Sequence, residues 1–132
     1  MSPSAYLLDT PVLLWSLTDP KSLTANARAV IENRQSTLYV SAASAWELAT
    51  KHRLGKLPQA EVLLSGFGRL VKRMVADQID ITAAHALLAG ALEWDHRDPF
   101  DRMLAAQCMT ESLTLITANP VFSDRKGLAV LW

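Results

Sequence analysis

The stretch His-Arg-Asp-Pro-Phe-Asp-Arg-Met-Leu-Ala-Ala-Gln at residues 96–107 places two carboxylates three residues apart at the start of a helix. Asp98 is suited to the N-cap, Pro99 to the first helical position and Asp101 to the third. Because residues three apart share a helix face, both carboxylates are expected at the same helix end. Acids in a first turn are also what the helix dipole favours, so capping alone is the structural alternative.

The length and composition predict one folded domain over residues 1–132. The chain is 50% hydrophobic and 20% charged, which suffices for a core that needs neither disulfides nor structural metals. Its 13 basic and 13 acidic residues cancel. No overall field therefore attracts nucleic acid or a membrane, although a local groove can still be basic.

Cysteine usage and hydropathy favour a cytoplasmic protein with no membrane partner. The single Cys108 excludes an internal disulfide and a cysteine zinc site, and its apolar neighbours predict a buried, inert thiol. No apolar run is long enough to cross a bilayer, and the N-terminus lacks the features of a signal peptide.

Short β-rich runs alternate with helical patterns along the chain. We expect strands at residues 5–8, 37–40, 79–81, 113–117 and 128–132. We expect helices at residues 11–17, 22–33, 41–54, 60–76 and 83–92, and one from residue 99 onward. This alternation predicts an α/β domain with a central, mainly parallel sheet flanked by helices.

Polar residues lie where the predicted strands end. Asp9 ends the first strand, Glu47 follows the second, and Asn119 follows the fourth. Since the ends of parallel strands share one edge of a sheet, we expect these residues to lie near Asp98 and Asp101.

Each of these residues also has a purely structural interpretation. Asp9 or Thr10 can cap the first helix, and Asn119 before Pro120 is an ordinary turn or helix entry. Ser44 and Glu47 match a capping box, which would place Glu47 in a first turn.

Convergence of the acids nevertheless favours a metal site. Carboxylates held together repel each other and raise one another's pKa unless a cation lies among them. Oxygen ligands suit Mg²⁺ or Mn²⁺, whereas the three histidines lack zinc-site spacing. Such a metal activates water for phosphodiester hydrolysis. The candidate catalytic residues are Asp9, Glu47, Asp98 and Asp101.

Hydroxyl and basic side chains complete the candidate site. A nearby hydroxyl, from Thr10 or Thr117, would fix the water or a ligand. Three basic side chains would bind the backbone phosphates of a nucleic-acid substrate, namely Arg97, Arg102 and Lys51. Solvated helix faces are the structural alternative for these cations.

Four stretches in order resemble the PIN-domain ribonucleases and, within them, the VapC-like toxins of toxin–antitoxin pairs. They are residues 7–15, 40–47, 98–107 and 115–122. The resemblance implies a three-layer parallel α/β domain and an endoribonuclease that depends on Mg²⁺ or Mn²⁺. It also implies a homodimer and inhibition by a small antitoxin whose tail can lie over the acidic site.

The resemblance also assigns individual residues. Asp9, Glu47 and Asp101 match the metal-binding acids, and Asp98 is an extra acid that either assists or caps. The fourth acidic position falls on Asn119, where many relatives have Asp, and this puts a second metal in doubt.

Two alternatives to the nuclease differ in their sequence support. An inactive PIN-fold binding module is favoured by Asn119 alone. A haloacid dehalogenase-like phosphohydrolase would use Asp9 as its nucleophile, but it needs a second Asp where this chain has Pro11. The phosphohydrolase therefore ranks below the nuclease and the binding module.

Apolar residues receive structural roles. Trp15, Trp46 and Phe100 are expected in the core. The amphipathic segment over residues 60–76 is the expected surface for a second subunit or for the antitoxin.

Overall fold

In the computed structural model, residues 5–132 are described and contain one five-stranded parallel sheet. Its order is β3-β2-β1-β4-β5, so the chain leaves β1 toward β2 and later returns to its other side. This creates a topological switch point between β1 and β4, where ligands of α/β sheets bind. The strands are β1 (Ala5–Leu8), β2 (Thr37–Ser41), β3 (Ala76–Ile79), β4 (Thr114–Ile116) and β5 (Val130–Leu131).

Seven α-helices lie between the strands within the described range. Short 3₁₀ helices at Pro20–Ser22, Pro58–Ala60 and Pro120–Asp124 each begin at a proline, whose fixed φ suits the first helical position. The α-helices are α1 (Thr10–Thr18), α2 (Ala25–Glu32), α3 (Ala42–Arg53), α4 (Glu61–Leu64), α5 (Phe67–Arg73), α6 (Ala83–Ala91) and α7 (Pro99–Glu111).

Successive strand residues enter two different cores, one on each face of the sheet. Leu8 of β1 packs in one core with Val12 of α1, whereas the preceding Leu7 packs with Leu104 and Cys108 of α7 in the other. Helices therefore cover both faces, which confirms the predicted three-layer α/β fold. Cys108 is buried, which confirms the predicted burial of its thiol. Burial raises the pKa of this thiol to about 12.

The predicted helix over residues 60–76 is wrong. Gly66 has φ −160° and ψ 44°, outside the helical region, and it separates α4 from α5. After α5, Val75 has φ +59°, a left-handed conformation that ends the helix. The next strand therefore begins at Ala76, three residues before the predicted position.

The apolar side chains of this segment fill the protein's own core. Leu63 of α4 and Val71 of α5 are buried there, while Val62 remains 59% exposed. The segment therefore leaves less apolar surface for a partner than its sequence pattern predicts.

Other elements are also shorter than predicted. Thr24 accepts a hydrogen bond from the Ala27 amide at 3.0 Å and caps α2 there, so the predicted 22–33 helix is shorter. The predicted last strand over 128–132 shortens to β5. Residues 1–4 of the predicted domain lie outside the described range. None of the helices described is long and apolar enough to cross a membrane.

Candidate active site

Asp9 and Thr117 meet at the switch point between β1 and β4. The Asp9 amide donates to the Ile116 carbonyl at 3.1 Å, which continues the sheet pairing. The Thr117 hydroxyl donates to Asp9 Oδ2, and Asp9 Oδ1 accepts from the Val12 amide at 2.9 Å. Asp9 is therefore the N-cap of α1, and the fold itself engages both oxygens of its carboxylate.

Thr10 contacts a neighbouring helix. Its Oγ1 lies 2.9 Å from Ser44 Oγ, and both side chains are buried. This hydrogen bond ties α1 to α3. Because α3 is capped by Ser41, the predicted capping box of Ser44 and Glu47 is wrong, and Glu47 lies in the second turn.

Glu47 is a buried acid that is only partly hydrogen-bonded. Its side chain is 5% exposed, and Oε2 forms an ion pair with the ammonium of Lys51 one turn along α3. Oε1 is buried and has no hydrogen-bond partner among the described residues. An unsatisfied buried polar atom costs about 1–3 kcal/mol. A cation bound to this oxygen would remove that cost.

The first turn of α7 presents Asp98 and Asp101 as predicted, but in different roles. Asp98 Oδ1 accepts from the amides of Phe100 and Asp101 at 2.9 and 3.0 Å, so Asp98 caps the helix. Asp101 Oδ2 lies 2.7 Å from His96 Nε2. The spacing of the histidines in the sequence does not predict this contact, because the contact depends on the loop before α7.

Burial and mutual repulsion link the acids electrostatically. Burial, with smaller effects of the Asp101 and Glu47 charges, raises the pKa of Asp9 to about 7 against the lowering effect of its hydrogen bonds. Burial also raises the pKa of Asp101, helped by Asp98 and Glu47 and opposed by His96. The structure thus brings Asp9, Glu47 and Asp101 into one electrostatically coupled region.

The acids are not a preformed set of metal ligands. Across residues 5–132, no three histidine, cysteine or carboxylate side chains are arranged so that they could hold a metal ion. Lys51 and His96 instead engage one oxygen each of Glu47 and Asp101. The chemistry nevertheless fits a divalent cation, because positive charge would offset the repulsion and Glu47 Oε1 offers an unused carboxylate oxygen.

Arg102 does not fit its predicted contact with substrate phosphates. Its guanidinium donates to four backbone carbonyls at 2.6–2.9 Å, which use four of its five N–H groups. It is a structural tie between α7 and the segment after α6. The four carbonyls belong to Ala89, Leu92, Trp94 and His96.

The remaining predicted residues have simpler environments. Arg97 is exposed. Thr117 Oγ1 accepts from the Asn119 amide at 3.0 Å. The exposed Asn119 uses its Oδ1 to accept from the Val121 amide at 3.1 Å, which caps the following 3₁₀ helix.

The predicted burial of Trp46 is wrong. Its side chain is 54% exposed and packs edge-on against Phe100, with ring centroids 4.6 Å apart. Glu47 and Leu48, the next residues of α3, point inward, which leaves Trp46 outside. Trp15 is half-buried against Trp132.

A sequence model of the PIN domain matches residues 6–128. The chain belongs to the PIN-domain family. This PIN domain is 36% identical over 58 residues to Ribonuclease VapC16 of Mycobacterium tuberculosis, across 44% of this chain and 41% of that protein. The chain thus matches less than half of that ribonuclease.

Solved structures share the fold of this PIN domain. One is VapBC2 of Rickettsia felis bound to a promoter DNA fragment, with a TM-score of 0.70 and 22% identity over 96% of this chain and 97% of that one. Another is DNA-bound VapBC of Salmonella typhimurium, with a TM-score of 0.68 and 18% identity over 97% of both chains. A toxin–antitoxin complex of Klebsiella pneumoniae has a TM-score of 0.61 and 21% identity over 96% of both chains.

Proposed function

We propose that this PIN domain is a Mg²⁺- or Mn²⁺-dependent endoribonuclease and the toxin of a toxin–antitoxin pair. The observation that carries the proposal is the buried Oε1 of Glu47, which has no hydrogen-bond partner in the described part of the chain and lies beside the charges of Asp9 and Asp101. Likeness to a protein named as a VapC ribonuclease supports RNA as the substrate. Structures of VapBC and toxin–antitoxin complexes with the same fold support a small antitoxin as the partner.

Each residue has a distinct task in this proposal. Asp9, Glu47 and Asp101 would hold the metal ion, which when bound lowers the pKa of water and stabilises charge on the phosphodiester. Thr117 and the Val12 amide orient Asp9. Asp98 assists by fixing the first turn of α7 through the amide of Asp101.

Asn119 limits the charge that the site can offer to metal ions. Its amide oxygen caps a 3₁₀ helix, and no carboxylate stands at that position. We therefore propose one tightly held metal ion. The same residue favours the second candidate, a PIN-fold module that binds RNA without cleaving it.

The cations and the apolar surface residues suggest where other molecules bind. Arg97 is exposed near the acids and would contact RNA phosphates. Trp46, Leu54 and Val62 are 54%, 52% and 59% exposed and offer apolar area to a second subunit or an antitoxin. A cytoplasmic homodimer is part of the proposal.

RNA cleavage by Asp9→Asn and Asp101→Asn variants tests the nuclease. We expect wild type to cleave only with Mg²⁺ or Mn²⁺, and each variant to lose more than about a hundredfold in rate, since a metal ligand is removed. Asp77→Asn, which neutralises an exposed acid on the edge strand β3, should cleave like wild type.

The binding module makes a different prediction in the same experiment. Wild type would then bind RNA without cleaving it in either metal, and Asp9→Asn would change neither property. That result, obtained with folded protein, would contradict the nuclease.

A further inference from the structure

Lys51 and Glu47 form an ion pair that is unusual for neighbours on a helix. Exposed pairs four residues apart on a helix contribute little to stability. Here one partner is buried, because the Glu47 side chain is 5% exposed against 39% for Lys51. The lysine therefore neutralises a buried charge whose other oxygen, Oε1, has no hydrogen-bond partner within residues 5–132.

The charge of Lys51 also acts on the acids of α7. Burial lowers the pKa of its ammonium, but the hydrogen bond and charge of Glu47, together with Asp98 and Asp101, outweigh this and raise the pKa above its usual value. Lys51 therefore pairs directly with Glu47, and the negative charges of Asp98 and Asp101 further favour its charged form.

The surroundings of Lys51 leave room for it to leave Glu47. A cavity of about 250 Å³ between α1 and α3 is lined by both side chains and by apolar walls that include Leu14, Trp15 and Leu57. Lysine can lay its methylene stem along such walls while its ammonium stays in water. Rotation of one side chain would then free Glu47 Oε2 without any change in the backbone.

We propose that Lys51 is a resident counter-cation of Glu47 that must be displaced when the divalent metal binds, and that it thereby sets the metal affinity of this site. The inference rests on the proposed function, because it takes Glu47 as a metal ligand. Displacement requires movement of the charged ammonium and no loss of its proton.

This role predicts opposite effects of Lys51 with and without metal. Without metal, removing the ammonium leaves the buried Glu47 carboxylate unpaired, so the folded state should lose stability. With metal, the same change removes a competitor and a like charge, so binding should become tighter. A lysine that served only to bind RNA would leave metal affinity unchanged.

The test is a Mn²⁺ titration of the full chain by calorimetry, together with thermal unfolding with and without Mn²⁺. We expect Lys51→Met to bind Mn²⁺ about tenfold more tightly than wild type and to unfold at a lower temperature without metal. Lys56→Met is the matched control, because it removes one exposed lysine just past the same helix, and it should match wild type.

Charge and packing are separated by Lys51→Arg, which keeps the cation and should bind Mn²⁺ with nearly the wild-type affinity. Equal or weaker Mn²⁺ binding by Lys51→Met than by Lys56→Met would overturn the inference and leave the nuclease standing. If wild type itself binds no Mn²⁺ and cleaves no RNA, the proposed function fails, and the inference fails with it.

Discussion

Asp9, Glu47 and Asp101 form an acidic region whose two ends hold their carboxylates by different means. At the strand end, formed by Asp9 and Thr117, a backbone amide and a buried hydroxyl engage both oxygens of Asp9. At the helix end, Glu47 and Asp101 are each engaged through one oxygen by a rotatable side chain. Folding therefore fixes the strand end, whereas the helix end can be rearranged by a ligand.

The largest expected difference between the two ends is in pH dependence. The pKa of Asp9 is about 7 in the folded state against 3.8 for an ordinary aspartate. A raised folded pKa contributes stability that is fully present below the unfolded value and is lost as the pH rises through the folded value. Asp9→Asn should therefore gain up to about 4 kcal/mol relative to wild type between pH 4 and pH 7.

Urea unfolding without metal, at pH values across this window, measures that gain. Asp101→Asn is the comparison, because Asp101 is less buried than Asp9 and its pKa is also raised. We expect a smaller gain from it in the same direction. A larger gain from Asp101→Asn than from Asp9→Asn would reverse the contrast between the two ends.

Thr117→Val should have an intermediate effect, confined to the strand end. The substitution keeps the shape but leaves Asp9 Oδ2 without its donor, which costs about 1–3 kcal/mol. Because the hydrogen bond favours the charged form, its loss should also raise the pKa of Asp9 further.

The free energy of urea unfolding measures the cost of Thr117→Val. Thr114→Val, a partly buried threonine on β4 whose side chain makes no hydrogen bond among the described contacts, is the control. If both variants lose equally, the Thr117 hydroxyl has no special role at Asp9.

The smallest expected effect comes from Asn119→Asp, which restores an acid beside the strand end. A carboxylate can still accept from the Val121 amide, so stability should change by less than about 0.5 kcal/mol. Since the position is exposed, we expect Mn²⁺ affinity to rise only about threefold. Calorimetry would detect this, and a second binding step would show instead that the position completes a two-metal site.

Features that depend on neighbouring residues were predictable from the sequence. The β1 strand and the Asp98 cap of α7 follow from local patterns, and the structure confirms both. The parallel sheet follows from the alternation of strands and helices, and this places Asp9 and Thr117 at one edge.

Features that depend on tertiary contacts were not predictable. The amphipathic pattern continues through Gly66 although the helix does not, because both α4 and α5 pack on the same core. The contacts of Asp101 with His96 and of Arg102 with backbone carbonyls require the loop before α7 to fold back. No spacing rule in the sequence encodes that loop.

Arg102 has a consequence for how mutational scans of this protein should be interpreted. One guanidinium binds one carbonyl of α6 and three carbonyls of the segment between α6 and α7, and that segment carries His96 beside Asp101. Replacing Arg102 would make this loop more susceptible to proteolysis and would also disturb the contact between His96 and Asp101. A scan that records only cleavage would score Arg102 as an RNA-binding residue, although its role is to keep a loop closed.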